Sequence, residues 1–137
     1  MFLAKPTVIV ADDNGLVLEK TLSLLQPNFQ VVGTVPNGRD LLSEADRLKP
    51  DIIVLDITMP ILNGIEAAHQ LRERGSSAKI IFLTVHTGSS FVDACFEEGA
   101  SGYVAKARLR ADLVKAINEV LSGHKFVSPT ISPQFET

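Results

Sequence analysis

The stretch Asp51-Ile52-Ile53-Val54-Leu55-Asp56-Ile57-Thr58-Met59-Pro60-Ile61-Leu62-Asn63-Gly64 decides how the rest of the chain is read. Four apolar residues, three of them β-branched, run without interruption into a carboxylate. Such a run lacks the alternation of a half-solvated strand and reads as a strand covered on both faces, as in a parallel sheet. Working outward, Val8-Ile9-Val10-Ala11 and Ile80-Ile81-Phe82-Leu83 repeat the pattern. Val31-Val32-Gly33-Thr34-Val35 is more mixed and contains glycine, which places it near a sheet edge. Tyr103-Val104-Ala105 is a short fifth strand.

Amphipathic stretches fill the intervals. Leu18, Leu22 and Leu25 keep a three-to-four spacing behind Asn14, a suitable N-cap. Leu41, Ala45 and Leu48 repeat that spacing until Pro50 stops it. Ile65, Ala68 and Leu71 form a third helix between Asn63 and Gly75. Phe91, Ala94 and Cys95 set the apolar stripe of a fourth, ending at Gly99. Leu113, Ile117, Val120 and Leu121 mark a fifth, closed by Gly123. Right-handed crossovers turn this (βα)5 order into an α/β, doubly wound five-stranded parallel sheet with helices on both faces. The segment after Val127 carries two Ser-Pro-type steps and almost no charge, so 128–137 reads as a linker or frayed tail.

With 137 residues, the chain is one domain's worth. A hydrophobic share of 45% against 21% charged excludes a disordered chain. No apolar run approaches the ~20 residues that span a bilayer. The N-terminus has no basic region leading into an apolar stretch, so no secretory signal is expected. The single cysteine precludes an internal disulfide and suits a reducing, cytoplasmic setting. A net charge of −3 argues against an autonomous nucleic-acid binder, which needs a concentrated basic footprint.

In a doubly wound sheet, ligands bind beyond the carboxyl ends of the strands. Asp12 and Asp13 follow the first strand, Asp56 ends the third, Thr84 ends the fourth, and Lys106 follows the fifth. Taken singly, Asp12 or Asp13 is most simply a helix cap, Thr84 strand-end filler and Lys106 a solvated loop charge, whereas Asp56 directly follows four apolar residues that must be buried and is harder to dismiss. Together they place three carboxylates, a hydroxyl and an ammonium on one rim. Two like charges ~4–5 Å apart repel by about 3–4 kcal/mol at an effective dielectric of ~20. Such a group protonates, separates or takes a cation. Oxygen ligands without a nearby Cys or His pair favour a hard ion, Mg2+ first. Magnesium keeps room for a phosphate, which suits the rim to phosphoryl chemistry.

These residues, with Met59-Pro60 and Asn63-Gly64, resemble the receiver domain of two-component response regulators. The likeness covers residues 1–127 and implies a flavodoxin-like strand order 2-1-3-4-5. It implies that Asp56 accepts a phosphoryl group from a sensor histidine kinase or phosphotransfer protein. Asp13 and Asp56 would ligate Mg2+ with the Thr58 backbone carbonyl, and Asp12 would support it through water. Lys106 would pair with the phosphoryl group, Thr84 would turn toward it, and Tyr103 would follow as an aromatic switch. Output would leave through helix four, strand five and helix five. Such a domain catalyses its own phosphorylation and slow hydrolysis, and is a signalling module more than an enzyme.

Asn63-Gly64-Ile65-Glu66-Ala67-Ala68, Gly99-Ala100-Ser101-Gly102-Tyr103 and Gly123-His124-Lys125-Phe126-Val127-Ser128-Pro129 are similar to receivers of LuxR/NarL-type transcription regulators. That likeness implies dimerisation on activation and DNA contact only through a helix-turn-helix domain that is absent from this chain. An isolated receiver of a longer regulator and a stand-alone receiver both remain open. Departures from the family pattern are Val85, where a small residue is usual and access to Asp56 is narrowed, and Ala107. Thr58 and His86 occupy positions that tune the phosphoryl lifetime in the family; an exposed loop histidine is the plain alternative for His86. Arg108 and Arg110 read most simply as a solvated helix start. Cys95 reads as packing, and His69 and His124 lack metal-ligand partners at workable spacing.

Three other readings meet specific obstacles in the sequence. A haloacid-dehalogenase-like phosphatase would need a second acid two residues after Asp56, where Thr58 stands. A flavodoxin-like nucleotide binder would need hydroxyls and amides where Asp12-Asp13 repels anions, and a phosphate loop that the chain lacks. A degenerate receiver, acting only through protein contacts, is opposed by the five filled site positions and kept open by Val85.

Overall fold

Alternate residues of a β-strand point to opposite sides of a sheet, so an uninterrupted apolar strand needs cover on both. The computed structural model, which describes residues 4–129 and residue 131, builds that cover from five helices. The order is β1 (Thr7–Ala11), α1 (Gly15–Leu25), β2 (Gln30–Val35), α2 (Gly38–Leu48), β3 (Ile52–Leu55), α3 (Gly64–Glu73), β4 (Lys79–Thr84), α4 (Ser89–Glu97), β5 (Gly102–Ala105), α5 (Leu109–Leu121) and β6 (Phe126–Val127). Ile9, Ile53, Leu55, Phe82 and Tyr103 pack toward α2, α3 and α4. Their neighbours Val8, Val10, Ile52, Val54, Ile81, Leu83 and Val104 pack toward α1 and α5.

The strands are parallel and ordered β2-β1-β3-β4-β5-β6. The expected order 2-1-3-4-5 is present, with the glycine-containing β2 at one edge. Because β1 pairs with both β2 and β3, the strand order reverses between β1 and β3, and a crevice opens at their carboxyl ends. The helix ends follow the sequence signals. Asn14 accepts hydrogen bonds from Leu16 and Val17 N–H, and Asn63 from Glu66 N–H. Gly75, Gly99 and Gly123 take positive φ just beyond α3, α4 and α5.

Two expectations are corrected. The sheet has six strands rather than five: Phe126–Val127 adds to the free edge of β5. Two residues are too few to show a period, so their strand character comes from backbone pairing. Phe126 N–H donates to Ser101 O at 3.1 Å and Ser128 N–H to Tyr103 O at 2.9 Å. At the start of the expected tail, Ser128 and Ile131 are buried; Thr130 and 132–137 lie outside the described residues. In α4, Cys95 is buried as expected, but Val92 takes the place in the stripe expected of Phe91. Val92 and Cys95 face the core, whereas Phe91 is 37% exposed and stacks on the His86 ring. Among the described residues no helix is long and apolar enough to cross a membrane.

Candidate functional site

The β1 end delivers Asp12 and Asp13 to the crevice, and the β3 end delivers Asp56. Carboxylate oxygens of all three lie within 4.8 Å of one another. Asp12 and Asp56 are buried and Asp13 is exposed, so the cluster opens to solvent on one side. Lys106, just beyond β5, reaches into it. Its ammonium donates to Asp56 Oδ2 at 3.0 Å and lies 2.9 Å from Asp12 Oδ2. Asp56 Oδ1 accepts the Ile57 N–H at 2.7 Å, and Asp12 Oδ1 the Asn14 N–H at 2.8 Å.

The electrostatics are unbalanced. Burial raises the Asp12 carboxyl above its ordinary range, against the lowering effect of Lys106 and the Asn14 N–H, and the charge of Asp56 adds to the rise. Burial also works against a charged Lys106, but hydrogen bonds to Asp12 and Asp56 outweigh it and hold the ammonium firmly protonated. One ammonium against three ionised carboxylates leaves two negative charges, which a divalent cation would cancel. Asp12 Oδ2 is buried, and its one close partner is the Lys106 ammonium that it shares with Asp56. The charge left over and the all-oxygen donor set fit Mg2+.

The backbone under Asp56 is shaped by Gly64. Its N–H donates to the Ile57 carbonyl at 2.7 Å, and a Cβ there would stand 1.9 Å from the Asp56 carbonyl oxygen. The Asn63-Gly64 pair therefore caps α3 and lets its first turn close against the acidic residue.

The β4 end supplies Thr84, fully buried, whose Oγ1 accepts the His86 N–H at 3.3 Å. Tyr103 is also fully buried and donates its hydroxyl to the His86 carbonyl at 2.7 Å. The His86 ring pairs with Thr58 Oγ1 at 2.8 Å and lies 4.1 Å from the Phe91 ring. Thr58, Thr84, His86 and Tyr103 thus form one connected group between the β3–α3 and β4–α4 loops. Val85 beside them is 69% exposed.

The structure therefore brings Asp12, Asp13, Asp56 and Lys106 into direct proximity and links Thr58, Thr84, His86 and Tyr103 beside them. Sequence reasoning missed Asp112, Ser128 and the role of Arg108. Arg108 grips the buried Asp112 through Nε at 2.7 Å and Nη2 at 3.1 Å, so it is not a solvated helix start. The four-residue spacing of Arg108 and Asp112 was the available signal. Cys95 is buried in the core, where desolvation pushes its thiol up to about 12, as expected of packing. His69 and His124 pair with carboxylates of Glu98 and Glu119.

Fold and rim define a class: a doubly wound parallel α/β domain with a lysine-countered aspartate cluster at its switch point. The model of the response regulator receiver domain matches residues 8–118, and the chain belongs to that family. It is 36% identical to the transcriptional regulatory protein LnrK of Bacillus subtilis (strain 168), over 93% of this chain and 59% of that protein. It superposes with a TM-score of 0.90 on a LuxR-family two-component response regulator from Aurantimonas sp. SI85-9A1, at 34% identity over 97% of this chain and 96% of that one. The isolated REC domain of RcsB from Salmonella enterica serovar Typhimurium, solved with the phosphomimetic BeF3-, matches with a TM-score of 0.81, at 25% identity over 93% of this chain and 96% of that one. The chain is thus a receiver domain of two-component signalling, a signalling domain whose relatives are transcriptional regulators. It spans about three fifths of the length of LnrK.

Proposed function

We propose that Asp56 is the phosphoacceptor of this receiver. The carrying observation is that Lys106 reaches Asp56 Oδ2 inside a cluster of three carboxylates. A carboxylate oxygen of Asp56 attacks the phosphorus of a phosphohistidine on a sensor kinase or phosphotransfer protein. The P–N bond breaks, and its electron pair stays on the imidazole, which takes up a proton. Asp13, Asp56 and the Thr58 backbone carbonyl would hold Mg2+, with Asp12 supporting through water. Mg2+ supplies positive charge to the phosphoryl oxygens.

Lys106 exchanges part of its pairing with Asp56 for the new phosphoryl oxygens, which bring about −1.5 to −2 of charge. The Thr84 hydroxyl, which accepts from His86 N–H here, turns to donate to the phosphoryl group. That releases the loop whose carbonyl holds the Tyr103 hydroxyl, and the bias passes to the face of α4, β5 and α5. Thr58, hydrogen-bonded to His86, and Val85 between Thr84 and His86 in sequence set the rate of entry and the lifetime of the phosphoryl group. The domain catalyses its own phosphorylation and slow hydrolysis in the cytoplasm. Its output is transcriptional, through homodimerisation and a DNA-binding domain outside this chain. The BeF3- used with the RcsB receiver mimics such a phosphoryl group and supports the reading.

The test is intact mass after incubation with acetyl phosphate, with and without Mg2+, on wild type and Asp56→Asn. One added phosphoryl group that needs both the metal and Asp56 is the expected result. Equal gain by Asp56→Asn would move the acceptor elsewhere, and no gain by wild type would favour a module that works through protein contacts alone.

A further inference from the structure

Ser128 is 2% exposed, and each of its polar groups is engaged. Its N–H donates to the Tyr103 carbonyl at 2.9 Å, and its carbonyl accepts the Ile131 N–H at 3.0 Å. Its hydroxyl donates to Asp112 Oδ2 at 2.7 Å and accepts the Ala105 N–H at 3.1 Å. Asp112, itself 3% exposed, also accepts the bidentate grip of Arg108. These groups bracket a single 3-10 turn, Lys106–Arg108. Ala105 enters that turn and Arg108 leaves it.

We propose that Ser128 and Asp112 are positioning residues for the Lys106 ammonium, acting by fixing both ends of the turn that carries it. The proposal rests on Asp56 being the phosphoacceptor. A three-residue 3-10 turn has poor hydrogen-bond geometry of its own, and no side chain caps this one. The lysine stem is long and flexible, and two carboxylates compete for its head. Both carboxylates lie within 3.0 Å of the ammonium, so a shift of the backbone at Lys106 changes which of them it reaches. Ser128 holds the entry directly through Ala105. It holds the exit through Asp112, whose desolvated carboxylate keeps Arg108 in place. Removing the hydroxyl strands the Ala105 N–H and deprives Asp112 of a donor, so both ends loosen together.

The experiment compares wild type, Ser128→Ala, Ser128→Thr and a remote core control, Leu25→Val, each as the full chain. Three quantities are read: Ala105 amide exchange by NMR, Mg2+ affinity, and the rate of phosphoryl gain from acetyl phosphate. Ser128→Ala is expected to expose the Ala105 amide and slow phosphoryl gain about tenfold, with no loss of Mg2+ affinity. Ser128→Thr, which keeps the hydroxyl, restores both. Leu25→Val lowers the melting temperature without slowing uptake. Uptake at the wild-type rate with an unprotected Ala105 amide would overturn the proposal, as would parallel loss of Mg2+ affinity and uptake, which marks general loosening. Wild type that gains no phosphoryl group would overturn the reading of Asp56 and this proposal with it, and is recognised because the wild-type control itself fails. Should Ser128→Ala not fold, Arg108→Gln loosens the exit alone and is expected to slow uptake in the same direction; an unchanged rate there overturns the proposal.

Discussion

The Lys106 ammonium lies 3.0 Å from Asp56 Oδ2, although fifty residues separate the two in sequence. That contact neutralises a buried carboxylate while leaving the acidic cluster short of positive charge. Lys106→Met removes it and tests two consequences of opposite sign. Phosphoryl gain from acetyl phosphate should fall roughly 10²-fold, as when one charge-stabilising donor is removed from a reacting site. Mg2+ affinity should rise, because the competing cation is gone. A parallel fall in both would show that Lys106 supports the metal site instead.

Metal binding should be visible as stability. At a free Mg2+ concentration 100 times its dissociation constant, linkage adds about 2.7 kcal/mol, provided the unfolded chain does not bind. A melting curve should shift upward by several degrees with Mg2+, return with a chelator, and stay unmoved in Asp13→Asn. An equal shift in Asp13→Asn would remove that exposed carboxylate from the metal site.

Gly64 tests how closely the α3 turn must approach Asp56. A Cβ there would meet the Asp56 carbonyl oxygen at 1.9 Å, which only backbone movement relieves. Gly64→Ala should lower stability by about 1–3 kcal/mol in denaturant titration and displace the NMR signals of Asp56 and Ile57. Wild-type stability would mean that the β3–α3 loop gives way freely.

His69 provides a pH readout away from the acidic rim. Its hydrogen bond to Glu98, with the charges of Glu98 and Glu73, raises it above the ordinary 6.5 against burial and Arg72. The raised value means that folding favours the protonated ring. The α3–α4 tie is therefore fully present below pH 6.5 and weakens as pH rises through the folded-state value. An NMR titration should place the His69 midpoint above 6.5, and Glu98→Gln should bring it down. A midpoint unaffected by Glu98→Gln would show that the pair does not persist in solution.

Val85 directly follows Thr84, the last residue of β4, and stands largely in solvent. Val85→Ala should leave stability within about 0.5 kcal/mol, as for other exposed positions. It should speed phosphoryl gain from acetyl phosphate several-fold by widening the approach to Asp56. Equal rates would show that the branched side chain stands clear of the path.

The sequence by itself determined the architecture and most of the rim. Parallel strands buried on both faces must be continuous and apolar, so Val8-Ile9-Val10-Ala11 and Ile52-Ile53-Val54-Leu55 announce themselves, and the polar residue ending each run falls at the ligand-binding edge. Asn14, Asn63 and the closing glycines were legible because helix ends have local chemistry. Only the tertiary structure decided the rest. The strand Phe126–Val127 exists because β5 offers it unpaired backbone groups, a property of the neighbour and not of those two residues. Phe91 belongs to His86 rather than to the core because the phase of a nine-residue helix is fixed by what packs beneath it. Ser128, Asp112 and Arg108 are ordinary surface types in sequence. Their hydrogen bonds form only once β5, β6 and α5 meet, since a polar residue is buried by its partners and no periodicity records them in advance.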